Sequence, residues 1–198
     1  QTGGLMTPTP TALILDFGGV LTTDLWDSIR ACARRAGLHE DALLNLMRHD
    51  DEVHRLYVAI ERGETSQSDF EKGLAAATDI VSDGLLARMC ADLKPNELML
   101  DGIAAIRASG VRIGVLSNSW GSGYFNPYEG YDLEQRADAL VFSDEVRLRK
   151  PEPEIFTLML DILGASAHEA VFVDDIATNL APAQNLGMTT IHHVDTRT

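Results

Sequence analysis

Short apolar runs, most of them ending in a polar residue, recur along this chain, with helical patterns between several of them. The clear runs are residues 11–16, 111–117, 170–174 and 189–194; 138–143 is a weaker fifth. Runs this short and apolar read as strands covered on both faces, as in a parallel sheet. The intervening patterns carry helix punctuation. Pro95 and Gly110 bracket one, Pro153 and Gly164 a second, and a third runs from Asn179 to Gly187 with Pro182 in its first turn. Strands alternating with helices predict an α/β domain with a mainly parallel sheet.

The alternation breaks between residues 24 and 92, which contain no convincing strand. Five helical segments fill this stretch. In the first, Leu25, Ile29, Cys32 and Ala36 fall on one face. Ser66 or Ser68 is a candidate N-cap for the fourth, and Ser82 for the fifth. The expected organisation is a disordered Gly/Thr/Pro-rich leader (1–10), a core made of residues 11–22 and 94–198, and a helical insertion of residues 23–93. Cys32 and Cys90 lie in helical patterns and read as buried small hydrophobes.

In an open parallel sheet, ligands bind beyond the carboxyl ends of the strands. Asp16, Ser117 and Asp174 all fall at such ends, although they are far apart in sequence. Asp16 is followed by Gly18-Gly19, which lets the backbone turn sharply and lets another group approach closely. A carboxylate held there can act as a nucleophile, although a lone strand-end Asp also serves as a turn former. Ser117 and Asn118 offer a hydroxyl and an amide to an anionic oxygen, or else cap a turn. Lys150, between Arg149 and Pro151, belongs to a basic cluster that can neutralise a phosphoryl group. The adjacent acids Asp174 and Asp175 repel each other unless a cation or buried donor compensates. Oxygen ligands of this kind suit Mg²⁺; the structural alternative is an N-cap pair. Asn179 is placed to orient one of the two acids.

Net charge is −14 with no basic stripe, which excludes a nucleic-acid partner. It leaves open a small phosphorylated metabolite, which needs only local positive charge. No apolar run approaches the ~20 residues that span a bilayer, so no membrane association is expected and a cytoplasmic location is.

Taken in order, LILDFGGVL, GVLSNS, the Lys150-Pro151 segment and VFVDD resemble the four motifs of the haloacid dehalogenase superfamily of phosphatases and dehalogenases. The stretches 147–166 and 171–191 closely resemble the N-terminal phosphatase domain of soluble epoxide hydrolases and its bacterial relatives. The resemblance implies a Rossmann-like core with a small helical cap. It implies Asp16 as nucleophile and Ser117, Asn118 and Lys150 as phosphate holders. It further implies Mg²⁺ on the Asp16 side chain, the Gly18 carbonyl and Asp175, with Asp174 a further ligand or a residue just behind them. Thr22, Thr23, Trp26 and Trp120 are candidate specificity residues.

The chain departs from the family at Gly18, where most family phosphatases carry a second Asp that protonates the leaving oxygen. His49, His54 or Asp24 could replace it. The expected function is therefore Mg²⁺-dependent phosphomonoester hydrolysis through an aspartyl-phosphate on Asp16. The alternatives are 2-haloacid dehalogenation, or a degenerate protein that binds a phosphorylated ligand. Monomer and homodimer are both left open.

Overall fold

A computed structural model describes residues 9–195, so residues 1–8 of the predicted leader, together with 196–198, lie outside the described residues. Five strands form one parallel sheet: β1 (Ala12–Leu15), β2 (Arg112–Ser117), β3 (Ala139–Phe142), β4 (Ala170–Asp174) and β5 (Thr189–His192). Their order is β3-β2-β1-β4-β5. Leu15 is in register with Val115 on one side and Val173 on the other. The ends of β1, β2 and β4 are therefore adjacent. This α/β architecture is the one the alternating pattern predicts.

Five helices lie between β1 and the helix that precedes β2. They are α1 (Leu25–Arg35), α2 (Ala42–His49), α3 (Asp51–Glu61), α4 (Gln67–Ala76) and α5 (Leu85–Met89). After them come α6 (Glu97–Ala108), the short α7 (Leu133–Arg136) and α8 (Ser143–Val146), then α9 (Pro153–Leu163) and α10 (Ala177–Asn185). Side-chain alternation divides the sheet's contacts. Ala12 and Ile14 of β1 pack with α9 and α10, whereas Leu15 packs with Leu100 and Ile103 of α6.

The inserted helices have a core of their own, built on Ile29, Leu43, Phe70, Leu74 and Leu86. Their starts are set by short polar caps. Asp24 accepts from Asp27 N–H, Asp50 from Glu52 and Val53 N–H, and Ser66 from Asp69 N–H. The expected Ser82 cap is not made. Gly84 takes the cap position of α5 in a left-handed conformation, and Ser82 contributes only its carbonyl, to Leu85 N–H. The third predicted helix begins two residues before Asn179, because the turn after β4 is already closed by Asp174.

The chain leaves and re-enters the sheet layer at one place: Thr23 N–H donates to Lys94 O (2.9 Å) and Asn96 N–H to Leu21 O (2.9 Å). Two further anchors tie the helices to the sheet side. The Gln67 amide donates to the carbonyls of Trp120, Gly121 and Phe125, and Arg62 pairs with Glu152. Among the described residues no helix is long and apolar enough to cross a membrane.

Candidate active site

Asp16 follows directly on β1, where its N–H donates to Val173 O (2.9 Å) and its Oδ1 accepts from Phe17 N–H (2.7 Å). Asp174 ends β4 and is fully buried. Lys150 reaches between them from the segment before α9. Its ammonium lies 2.7 Å from Asp16 Oδ1 and 2.8 Å from Asp174 Oδ2, and the side chain is 1% exposed. Asp174 is further held by Asn179 Nδ2 at 3.1 Å from each oxygen and by Ile176 N–H at 2.8 Å. Asn179 thus orients an acid, as expected.

Asp175 differs from its neighbour. Its Oδ1 is buried and has no hydrogen-bond partner. Its Oδ2 lies so near Gly19 that a Cβ there would stand 2.6 Å away, and Gly19 holds φ +78°. A glycine is required at position 19 on both counts. Thr22 Oγ1 fixes the same loop by accepting from Gly19 N–H (3.1 Å) and donating to Thr23 O (2.7 Å).

Acceptor atoms of Asp16, Asp174 and Asp175 lie within 4.8 Å of one another. Three carboxylates share one ammonium, and the imbalance appears in their protonation. Burial pushes Asp16 up to about 8 against the pull of Lys150, with Asp174 and Asp175 adding to the rise. Burial and Asp174 push Asp175 up to about 6. Burial works against the Lys150 ammonium, yet Asp16 and Asp174 outweigh it and hold the amine above its ordinary value. An excess of buried carboxylate with an orphaned oxygen is a donor set suited to a divalent cation.

Ser117 ends β2, and its Oγ accepts a hydrogen bond from the Tyr128 hydroxyl (3.0 Å). Burial keeps Tyr128 protonated, and its ring packs on Phe17 and Phe142 at 4.7 and 4.3 Å. Asn118 is tied to Lys150: its Oδ1 accepts from Lys150 N–H (2.8 Å) and its Nδ2 donates to Lys150 O (3.0 Å). The amide expected to touch an anion thus also positions the lysine.

One cavity of about 190 Å³ is lined by Asp16, Gly18, Ser117, Asn118, Lys150 and Asp175, with Asp174 buried behind. Trp26 and Trp120 reach this cavity; Thr22, Thr23, Asp24, His49 and His54 do not line it. His54 is instead bonded through Nδ1 to Met47 O (2.8 Å).

The sequence reading missed Tyr128, Tyr57 and Glu61, all of which line the cavity. Tyr128 lies in an irregular segment and gave no signal. Glu61 had one: it falls four residues after Tyr57 and eight after Val53, so a carboxylate occupies the buried stripe of α3. It is 2% exposed and accepts from Arg149 Nε (2.6 Å) and Nη2 (2.5 Å).

Comparison with known proteins adds to this geometry. A family model for haloacid dehalogenase-like hydrolases matches residues 10–187. Bifunctional epoxide hydrolase 2 of Rattus norvegicus is 34% identical over 127 residues, 60% of this chain and 21% of that protein. The chain thus spans about a fifth of the length of the first curated relatives it matches. Phosphoglycolate phosphatase of Rhodospirillum rubrum is 29% identical over 197 residues, covering 90% of this chain and 77% of that one. Among solved structures, a magnesium complex of a haloacid dehalogenase family enzyme from Bacteroides thetaiotaomicron superposes with a TM-score of 0.70 at 26% identity, covering 93% of each chain. Fold, motif order and family match agree: the chain belongs to the haloacid dehalogenase-like hydrolases.

Proposed function

We propose that this hydrolase is a Mg²⁺-dependent phosphomonoesterase that takes the phosphoryl group onto Asp16. One observation carries the reading: a single buried ammonium, Lys150, sits between Asp16 and Asp174 beside an Asp175 oxygen that has no partner. Asp16 spends Oδ1 on Phe17 N–H and Lys150, so Oδ2 is the oxygen for attack. Attack on phosphorus breaks the ester P–O bond and forms an aspartyl-phosphate. Water then takes the phosphoryl group as inorganic phosphate and Asp16 is regenerated. Lys150 and the Ser117 hydroxyl neutralise and bind phosphoryl oxygens. Asn118 Nδ2 donates to Lys150 O and, at 3.5 Å, to Glu61; it would join them by turning this second, longer bond from Glu61 to the phosphate. Mg²⁺, held by the Asp16 carboxylate, the Gly18 carbonyl and Asp175, would neutralise phosphate charge and favour ionised Asp16. Asp174 stands behind these ligands and fixes Lys150.

In this reading residues 23–93 form a cap over a core of 11–22 and 94–198, and a small phosphorylated metabolite fills the space between. Dehalogenation fits less well. A 2-haloacid would bring another carboxylate to a site that already holds three against one lysine.

Mg²⁺ is expected to raise the melting temperature by several degrees and to support phosphate release that EDTA abolishes. Asp175→Asn should lose most of that thermal gain. A melting temperature indifferent to Mg²⁺, with no phosphate released from aryl or sugar phosphates, overturns the reading. Tyr128 turns the Ser117 hydroxyl so that its own hydrogen can meet the phosphate. Tyr128→Phe is therefore expected to lower kcat/KM about 2- to 12-fold, the worth of one neutral buried hydrogen bond. Its melting temperature should stay near that of the wild type.

A further inference from the structure

Resting on the phosphatase reading, we propose that the cap side of the cavity is a leaving-group subsite for a compact aromatic group, making the substrate an aryl phosphate monoester. Two separate observations point there. The first is the wall. Leu25, Trp26, Tyr57, Leu93 and Trp120 line the same cavity as Asp16 and Lys150. The tryptophans are held in place from outside it: the Arg48 guanidinium lies 5.2 Å from the Trp26 ring, and Phe70 stacks on Trp120 at 6.5 Å. The polar groups on this side are engaged with one another. Glu61 binds Arg149 through two nitrogens, and Asn118 Nδ2 donates to the same carboxylate at 3.5 Å. A polyol would have to give up its water against such a wall, at a cost for each unpaired hydroxyl. A flat apolar ring loses little water and gains edge or offset contacts with the indoles.

The second observation concerns protons. The acids that line the cavity are Asp16, Glu61 and Asp175. Asp16 is the nucleophile, Asp175 belongs to the cation side, and Glu61 is tied to Arg149. With these roles assigned, no carboxyl of the cavity remains to protonate the departing oxygen. When Asp16 bonds to phosphorus, the electron pair of the broken P–O bond goes to the leaving oxygen, which departs as an anion and takes its proton from water. A phenol tolerates this; an ordinary alcohol does not. Shape and proton supply therefore select the same class of ester.

The test uses the whole protein with Mg²⁺. Phenyl, 4-nitrophenyl and 1-naphthyl phosphates are compared with glycerol and ribitol phosphates, with acetyl phosphate as an acidic leaving group that has no ring. Aryl esters are expected to exceed polyol esters in kcat/KM by at least ~10²-fold, the usual worth of missing acid catalysis. Within the aryl series, rates should fall as the phenol becomes less acidic. Phenylphosphonate should inhibit at least ~10-fold more tightly than methylphosphonate, as an apolar pocket rewards added carbons, and Trp26→Ala should narrow that gap. Polyol esters turned over as well as aryl esters, or phenylphosphonate no tighter than methylphosphonate, overturn the subsite and leave the phosphatase reading standing. Absence of phosphate release from every compound, acetyl phosphate included, overturns both.

Discussion

Asp16→Asn is expected to cut phosphate release by at least ~10³-fold, as removal of a nucleophile does, while leaving the fold as stable as before or more so. The amide keeps an oxygen for Phe17 N–H but cannot form the acyl-phosphate bond. Stability follows from the charge imbalance. In the metal-free protein, burial, with Asp174 and Asp175, raises Asp16 from 3.8 to about 8. Across that interval the unfolded chain ionises first. The stability linked to this group is therefore fully present below about 3.8 and is lost as pH rises through about 8. The variant should lack this slope, so in EDTA its advantage over the wild type grows from pH 4 toward pH 8. Single-turnover phosphate release and melting curves across pH read the two effects separately. A variant that retains turnover removes Asp16 from the nucleophile's place.

How much of this was legible in the chain follows from where the information lies. Asp16, Ser117 and Asp174 could be grouped because short buried strands announce themselves by apolar runs, and a parallel sheet must align their ends. Lys150 was legible through its basic neighbours and the helix that follows. The Tyr128–Ser117 bond was not, because an aromatic in an irregular segment has no period to betray its direction. The Glu61–Arg149 pair joins two elements with no local signal linking them. Ser82 failed as a cap because Gly84 takes the left-handed turn instead. Contacts set by repetition along the chain can be read in advance, and those set by one helix meeting another loop cannot.

These late contacts tie the helical insertion to the candidate site. Glu61 at the end of α3 holds Arg149, and Arg62 holds Glu152 and the Arg147 carbonyl, so α3 grips the segment that carries Lys150 from both sides. Asn118 grips the same segment from β2. A buried lysine facing two carboxylates needs such bracing, because its ion pairs reward only correct geometry.

Gly18→Asp is expected to accelerate hydrolysis of poor leaving groups by ~10²–10⁴-fold, the span of general acid catalysis. The structure has room for the change. A Cβ at position 18 would meet only the Leu25 side chain, at 3.6 and 3.7 Å, and Gly18 is not among the residues with left-handed φ. Gly19, by contrast, could not accept any side chain. The new carboxyl would join a cavity whose acids the proposed reading assigns to attack (Asp16), to the cation (Asp175) and to Arg149 (Glu61), and burial beside other carboxylates would favour its protonated form. It could then give its proton to the leaving oxygen and later take one from the attacking water. The gain should be large for glycerol phosphate, where the alkoxide is costly, and small for 4-nitrophenyl phosphate, whose anion leaves unaided. The dependence of rate on leaving-group acidity should flatten accordingly. Equal gains on both esters would mean that the substitution acts through metal or substrate binding. No gain on either would mean that a proton already reaches the leaving oxygen by another route, and that Gly18 is no limit on this enzyme.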